Sequence, residues 1–301
     1  MSKSKQFAAF VLAVTTATTL AESRCPGNVE SLLYRGLNRH QIVVPVSINH
    51  SGPYNFMLDT GTQMTMIDPA LAGELHLAGS GETSVRSAGV RTSASIAQTD
   101  LMEAGTHQVA GLKVVVFELG IPQAGSRDLR GILGEDFLEH FDLLIDNAHS
   151  LVCLDDSGKM RAEMKGRHVE LLLPGAGIDG NGLARPPVVA VRLSDGMRPV
   201  LLELDSGADV SLLFDSSFMA LGVLKGASLK ANGASAELRT FRSIPPQNVK
   251  IGPVEVENAA FITTSGAQKD SHASAYDGLL SLGLFKRVLI SPAERFAVLE
   301  R

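Results

Sequence analysis

From residue 41 onward, short runs of Val, Leu and Ile alternate with clusters of Gly, Pro, Asn, Asp and Ser. Runs of this length and type, bounded by turn formers, predict strands. Residues 41–48 form the first, 49–53 are dense in turn residues, and 54–58 form the second, so a hairpin is expected. Asp68-Pro69 reads as an N-cap followed by proline at the first helical position, opening a short helix through Leu75. Residues 81–110 are polar and weakly alternating, with a hairpin tip at Ser87-Ala88-Gly89. Residues 112–119 are a strong candidate for a buried strand. Gly131-Ile132-Leu133-Gly134 follows, then a short helix over 136–140 and two more strands at 141–146 and 150–154.

The second half of the chain repeats this plan. Residues 187–193 match the first strand, 194–196 its turn, and 200–204 the second strand. Asp215 opens a short helix that stops at Gly222, a residue suited to a C-cap. Asn232-Gly233 is a strong signal for a two-residue hairpin turn. Residues 249–261 read as one Val-rich run, Asp277-Gly278-Leu279-Leu280-Ser281 parallels Arg130-Gly131-Ile132-Leu133-Gly134, and strands at 288–290 and 296–299 close the half. The organisation expected is a leader to residue 39, a first lobe over 40–156, a Gly/Pro/Asp-rich linker over 157–186 and a second lobe over 187–301. A repeat of this length is a duplicated lobe rather than a solenoid unit, and a pseudo-twofold arrangement follows from it.

Composition narrows the function. The 301 residues carry 32 acidic and 27 basic side chains, a net charge of −5. No basic excess points to nucleic acid or anionic lipid as a partner. Lys3 and Lys5 precede an apolar, Thr-rich stretch over 7–20 that ends in small residues, the pattern of a signal peptide over 1–21. That stretch is shorter than the ~20 residues a membrane span needs. The mature chain is therefore expected to be exported, periplasmic or secreted, with no stable span after cleavage. Cys25 and Cys153 are the only cysteines. In an oxidising compartment they are a candidate disulfide, though sequence alone leaves open two free thiols. No Cys/His spacing matches a metal site, and no cofactor is implied.

Candidate chemistry sits at two points. In each, an apolar strand enters an Asp-Thr/Ser-Gly turn and an apolar run leaves it: Asp59-Thr60-Gly61 and Asp205-Ser206-Gly207, 146 residues apart. The tripeptide alone is weak evidence. A third copy, Asp156-Ser157-Gly158, is followed by polar residues and reads as an ordinary turn. The flanking strands, and an apolar pair after glycine some seventy residues on, set the other two apart.

On these residues the chain resembles the pepsin and retroviral clan of aspartic proteases, half by half similar to exported bacterial retropepsin-like domains in tandem. The resemblance covers about 40–156 and 186–300. It implies an all-β fold of two retropepsin-like closed barrel lobes about a pseudo-twofold axis, each with one or two short helices. It implies Asp59 and Asp205 as a catalytic pair, with Thr60 and Ser206 bracing turns in which Gly61 and Gly207 leave the carboxylates unobstructed. Ile132-Leu133-Gly134 and Leu279-Leu280-Ser281 fill the hydrophobic-hydrophobic-glycine position. Ser281 departs from that pattern and puts the shape of its loop in doubt. Ser87-Ala88-Gly89 and Asn232-Gly233 fall where flaps are expected. Tyrosine occurs only at 34, 54 and 276, which favours the retroviral style of flap.

Two carboxylates held together share one proton, so one serves as general base on water while the other donates to the carbonyl. The expected activity is peptide-bond hydrolysis by a monomer with an intramolecular dyad, acting on peptide or protein substrates. A peptide-binding descendant without activity, an exported β-rich structural domain, and a homodimer with dyads between chains are the alternatives. Thr62 follows the first turn where Ala208 follows the second. A Thr62 hydroxyl bonded to Asp59 lowers its pKa, so the activity optimum is expected between strongly acidic and neutral.

Overall fold

The computed structural model describes residues 24–33, 35–36, 41–87, 90–119, 128–164, 166–172, 185–193, 198–214, 228–232, 238–264 and 276–301. The signal-peptide segment, the tip residues Ala88, Gly89 and Gly233, the turn at 194–196 and the short helix expected from Asp215 to Gly222 lie outside them. The described residues are mostly strand, with three short helices, an all-β retropepsin-like fold. Among them, no helix is long and apolar enough to cross a membrane.

The first hairpin forms as its pattern dictates. Ile42–Ile48 pairs antiparallel with Ser51–Leu58, and the alternate residues Val44, Val46, Phe56 and Leu58 are fully buried. Ser51–Leu58 then pairs in parallel with Leu129–Leu133, setting Leu58 beside Leu133. Asp68 caps Pro69–Glu74 as expected, its Oδ1 accepting from the Leu71 N–H at 2.7 Å. The ten-stranded sheet of this half contains the path 78–87, 90–98, 113–116, 66–67, 129–133, 51–58, 42–48. The seven-stranded sheet of the second half runs 228–232, 238–251, 254–264, 211–213, 278–281, 200–205, 188–191. Strand for strand these orders correspond, down to the parallel pairing of 113–116 with 66–67 and of 254–264 with 211–213.

A third sheet has six strands drawn from both halves: 31–33, 151–155, 142–146, 287–291, 296–300 and 168–170. Its centre pairs Leu144 with Leu289 and Ile145 with Val288. The strands that end each half thus meet one another across the seam. Asn147 adds to the join, donating to the carbonyls of Leu282 at 3.2 Å and Phe285 at 2.9 Å. One apolar core continues through Leu143, Ile145, Val288, Ile290 and both outer sheets. Cys25 and Cys153 are bonded, Sγ–Sγ 2.00 Å, which fixes the 24–33 segment along this sheet's edge.

Three local expectations change. The segment read as a linker contains the helix Lys159–Glu163 and the strand His168–Glu170, which completes the six-stranded sheet. The Asp156-Ser157-Gly158 turn opens that helix, and neighbouring Asp155 satisfies it by accepting from Ser157 and from the Met160 N–H. The run 249–261 is two strands, broken where Gly252 takes φ 53° ahead of Pro253. Asn232 pairs with Leu238, so five residues lie at that hairpin tip and Asn232-Gly233 does not make a two-residue turn. Ser87 pairs with Val90, as a two-residue tip at 88–89 requires.

Candidate active site

Each aspartate is delivered by the same local device. A buried strand ends at the aspartate, and the next glycine N–H folds back onto the carboxylate. Gly61 N–H donates to Asp59 Oδ1 at 2.9 Å and Gly207 N–H to Asp205 Oδ1 at 2.7 Å. The two turns lock to each other through Thr60 and Ser206, both essentially buried. Thr60 N–H donates to Ser206 Oγ at 3.1 Å, and Ser206 N–H to Thr60 Oγ1 at 3.0 Å. The Thr60 hydroxyl donates to the Leu204 carbonyl at 2.7 Å, and the Ser206 hydroxyl to the Leu58 carbonyl at 2.9 Å. Four bonds in a reciprocal pattern fix the turns face to face, so that each aspartate's carboxyl group lies against the glycine of the opposite turn.

Glycine is required at both turns by the opposite carboxylate. A Cβ on Gly61 would lie 2.7 Å from Asp205 Cγ, and one on Gly207 2.5 Å from Asp59 Cγ. Both carboxyl groups are almost removed from water. Burial pushes the pKa of Asp59 up, opposed by donors from Thr62 and Gly61. It pushes that of Asp205 well up, with the Asp59 charge adding to it. The Thr62 hydroxyl lies 2.8 Å from Asp59 Oδ2. In the second turn the Ala208 N–H takes over, 3.0 Å from Asp205 Oδ1. Both donors to Asp205 thus reach Oδ1. Asp59, by contrast, accepts one bond on each of its oxygens. Thr62→Ala removes a donor that favours the Asp59 anion, so Asp59 protonates more readily. The acid limb of the pH–rate profile is expected to move to higher pH, with the alkaline limb little changed.

Residues 44–137 match the family model of aspartyl proteases. The matched region contains the Asp59 turn, its supporting Leu133-Gly134 segment and the residues that join them. It stops short of Asp205. No curated protein matches the chain.

Inside the matched region, the hydrophobic-hydrophobic-glycine segment props the turn from below. Asp59 N–H donates to the Leu133 carbonyl at 3.0 Å. A Cβ on Gly134 would meet Thr62 O at 2.7 Å and Thr65 N at 3.0 Å, so no side chain fits there. Ser281, at the corresponding place, sits in ordinary extended backbone (φ −61°). Its hydroxyl donates to the Ala208 carbonyl at 2.6 Å. The serine thus holds the second turn by a hydrogen bond where the glycine holds the first by close backbone approach.

The sequence reading passed over a second layer of residues. Thr65 and Ser211 each stand six positions after their aspartate. Thr65 Oγ1 accepts from the Gly134 N–H at 3.1 Å, and Ser211 Oγ from the Ser281 N–H at 3.0 Å. A hydroxyl recurring at that offset in both halves was a readable signal. Thr65 also donates to Asp136 Oδ1, N–H at 2.8 Å and hydroxyl at 2.6 Å. Burial pushes the Asp136 carboxyl up to about 6.

Glu203 lay hidden within an apolar run. It is 0% exposed, two residues before Asp205, where the first half has Met57. Neither carboxyl oxygen has a partner of good hydrogen-bond geometry; the Tyr276 hydroxyl faces it in a looser arrangement. Burial, with the Asp205 charge adding to it, raises the Glu203 pKa well above the usual carboxylate range. A raised folded-state pKa contributes stability below the unfolded value of about 4.3 and loses it as pH climbs through the folded one. Glu203→Met, which copies Met57, should therefore stabilise the protein at pH 7 by on the order of 2 kcal/mol and by less at pH 4. Urea unfolding at the two pH values measures the difference.

Proposed function

We propose that this protein is an exported aspartic endopeptidase, with Asp59 and Asp205 of one chain as its dyad. The observation that carries the reading is the reciprocal lock of Thr60 and Ser206, which sets two buried carboxyl groups against each other. Its further support is the aspartyl-protease match over the first turn and the corresponding strand order of the second half. In this reading the halves are a tandem duplication. The hairpins over 78–98 and 228–251 serve as flaps, and an extended peptide lies between them and the dyad as an added strand.

Catalysis then runs through one bound water. Asp59, held ionised by Thr62 and Gly61, removes a proton from the water as its oxygen attacks the scissile carbonyl carbon. Asp205 donates its proton to the carbonyl oxygen, giving a neutral tetrahedral diol. On collapse a diol hydroxyl returns its proton to Asp205, the amide nitrogen takes the proton held by Asp59, and the C–N bond breaks, which restores the starting pair. No covalent link to the enzyme forms. Export follows from the leader and suits the Cys25–Cys153 bond, since disulfides persist in oxidising compartments.

The test is hydrolysis of casein and of a mixed peptide library between pH 3 and 7, with products read by mass spectrometry. New peptide termini are expected, most abundant at mildly acidic pH. No cleavage at any pH, with library peptides still bound, would make the protein a peptide-binding relative.

A further inference from the structure

A cavity of about 310 Å³ opens at the seam between the halves, away from the dyad residues. Glu135 and Glu139 line it from the first half, Pro187 and Arg295 from the second, and Arg185 and Leu171 from the connection between them. Glu135 is 3% exposed and lines the cavity, and among the described residues no hydrogen bond reaches its carboxyl group. Arg185 and Arg295 are exposed, and among the described residues neither forms an ion pair. A carboxyl group that makes no bond within the protein presents its full hydrogen-bonding capacity to whatever fills the cavity. The two guanidinium groups at the mouth supply forks that fit a planar anion.

We propose that this cavity is a second binding site, which takes a small organic carboxylate on Arg185 and Arg295 with the Glu135 carboxylic acid donating a hydrogen bond to it. Burial favours the neutral, donating form of Glu135, with the charges of Glu139, Asp59 and Asp136 acting in the same direction. The lining then carries two positive charges against one on Glu139, a balance that selects a monoanion. The cavity also touches both aspartate turns through the backbone. Glu135 N–H donates to the Thr62 carbonyl at 2.8 Å, and the Pro187 carbonyl accepts from the Leu204 N–H at 2.8 Å. A ligand here sits one hydrogen bond from the segment around each aspartate.

Calorimetric titration of the mature protein with N-acetylleucine, N-acetylleucine amide and inorganic phosphate tests the site. The acid is expected to bind with Kd on the order of 1 mM, and the amide and phosphate at least tenfold more weakly. Arg185→Ala with Arg295→Ala should weaken the acid at least tenfold. Glu135→Gln, which keeps a donor, should bind better than Glu135→Ala. The same titration on Asp205→Asn protein should give an unchanged Kd, which separates this site from the dyad and from any failure of proteolysis. Equal binding of acid and amide, a preference for phosphate, no binding by wild type, or binding unaffected by the arginine changes would each overturn the proposal.

Discussion

Asp59→Asn and Asp205→Asn are each expected to reduce peptide hydrolysis at least a thousandfold while leaving the fold intact. Asparagine is nearly isosteric and still accepts from the turn N–H groups that hold each carboxylate. What it loses is the proton chemistry. In the proposed mechanism no base takes the water proton without Asp59, and no acid meets the carbonyl oxygen without Asp205. Proton transfer by one positioned group accounts for roughly 10²–10⁴ in rate, and groups that act as a unit fail together. Mixing the two single variants should recover nothing. The turns lock through bonds between Thr60 and Ser206 of the same chain. Recovery on mixing would require sites shared between chains.

Gly61→Ala and Gly207→Ala should be nearly as damaging, for a steric reason. The added methyl group would sit 2.5–2.9 Å from atoms of the opposite carboxylate, well inside contact distance. Either the aspartate rotates away or the turns separate, and both break the shared-proton pair. We expect at least a hundredfold loss of kcat, consistent with the sensitivity of catalysis to misplacements of about 1 Å. Gly73→Ala is the control, since it lies in the short helix Pro69–Glu74 and nothing lies within 4 Å of its added Cβ; it should retain wild-type activity. If Gly207→Ala also remained fully active, the face-to-face placement of the carboxyl groups would not be what catalysis requires.

Much of this site was legible because its cause is local. A strand, a three-residue turn and a hydroxyl at the next position are short-range patterns, and Asp59, Thr62 and the Asp68 cap could each be read from a few neighbours. The six-stranded sheet could not. Residues 141–146 and 288–290 both read as buried runs, but nothing in a run of Leu and Ile names its partner, and Leu144 meets Leu289 only through the whole fold. Glu203 escaped notice because its neighbours Leu201, Leu202 and Leu204 set the pattern. Asn232-Gly233 favours a tight turn locally, yet the register of the long hairpin places it beside a wider tip. Ser281 was a reason for doubt that its contact with Ala208 answers, because a hydrogen bond replaces the space a glycine leaves.

The shared sheet also bears on when activity can arise. Its central strands are 145 positions apart in the chain, as the Leu144–Leu289 pair shows. Contacts of such long separation form late, because the loop entropy must be met before they add stability. A chain emerging from synthesis or translocation carries Asp59 early and Asp205 much later. The strands that join the halves finish only at Glu300. The two carboxyl groups are therefore brought together near the end of folding, and a truncated or half-folded chain would carry both aspartates without a working pair. An incompletely folded chain is therefore expected to keep its two carboxyl groups apart until the last strand is in place.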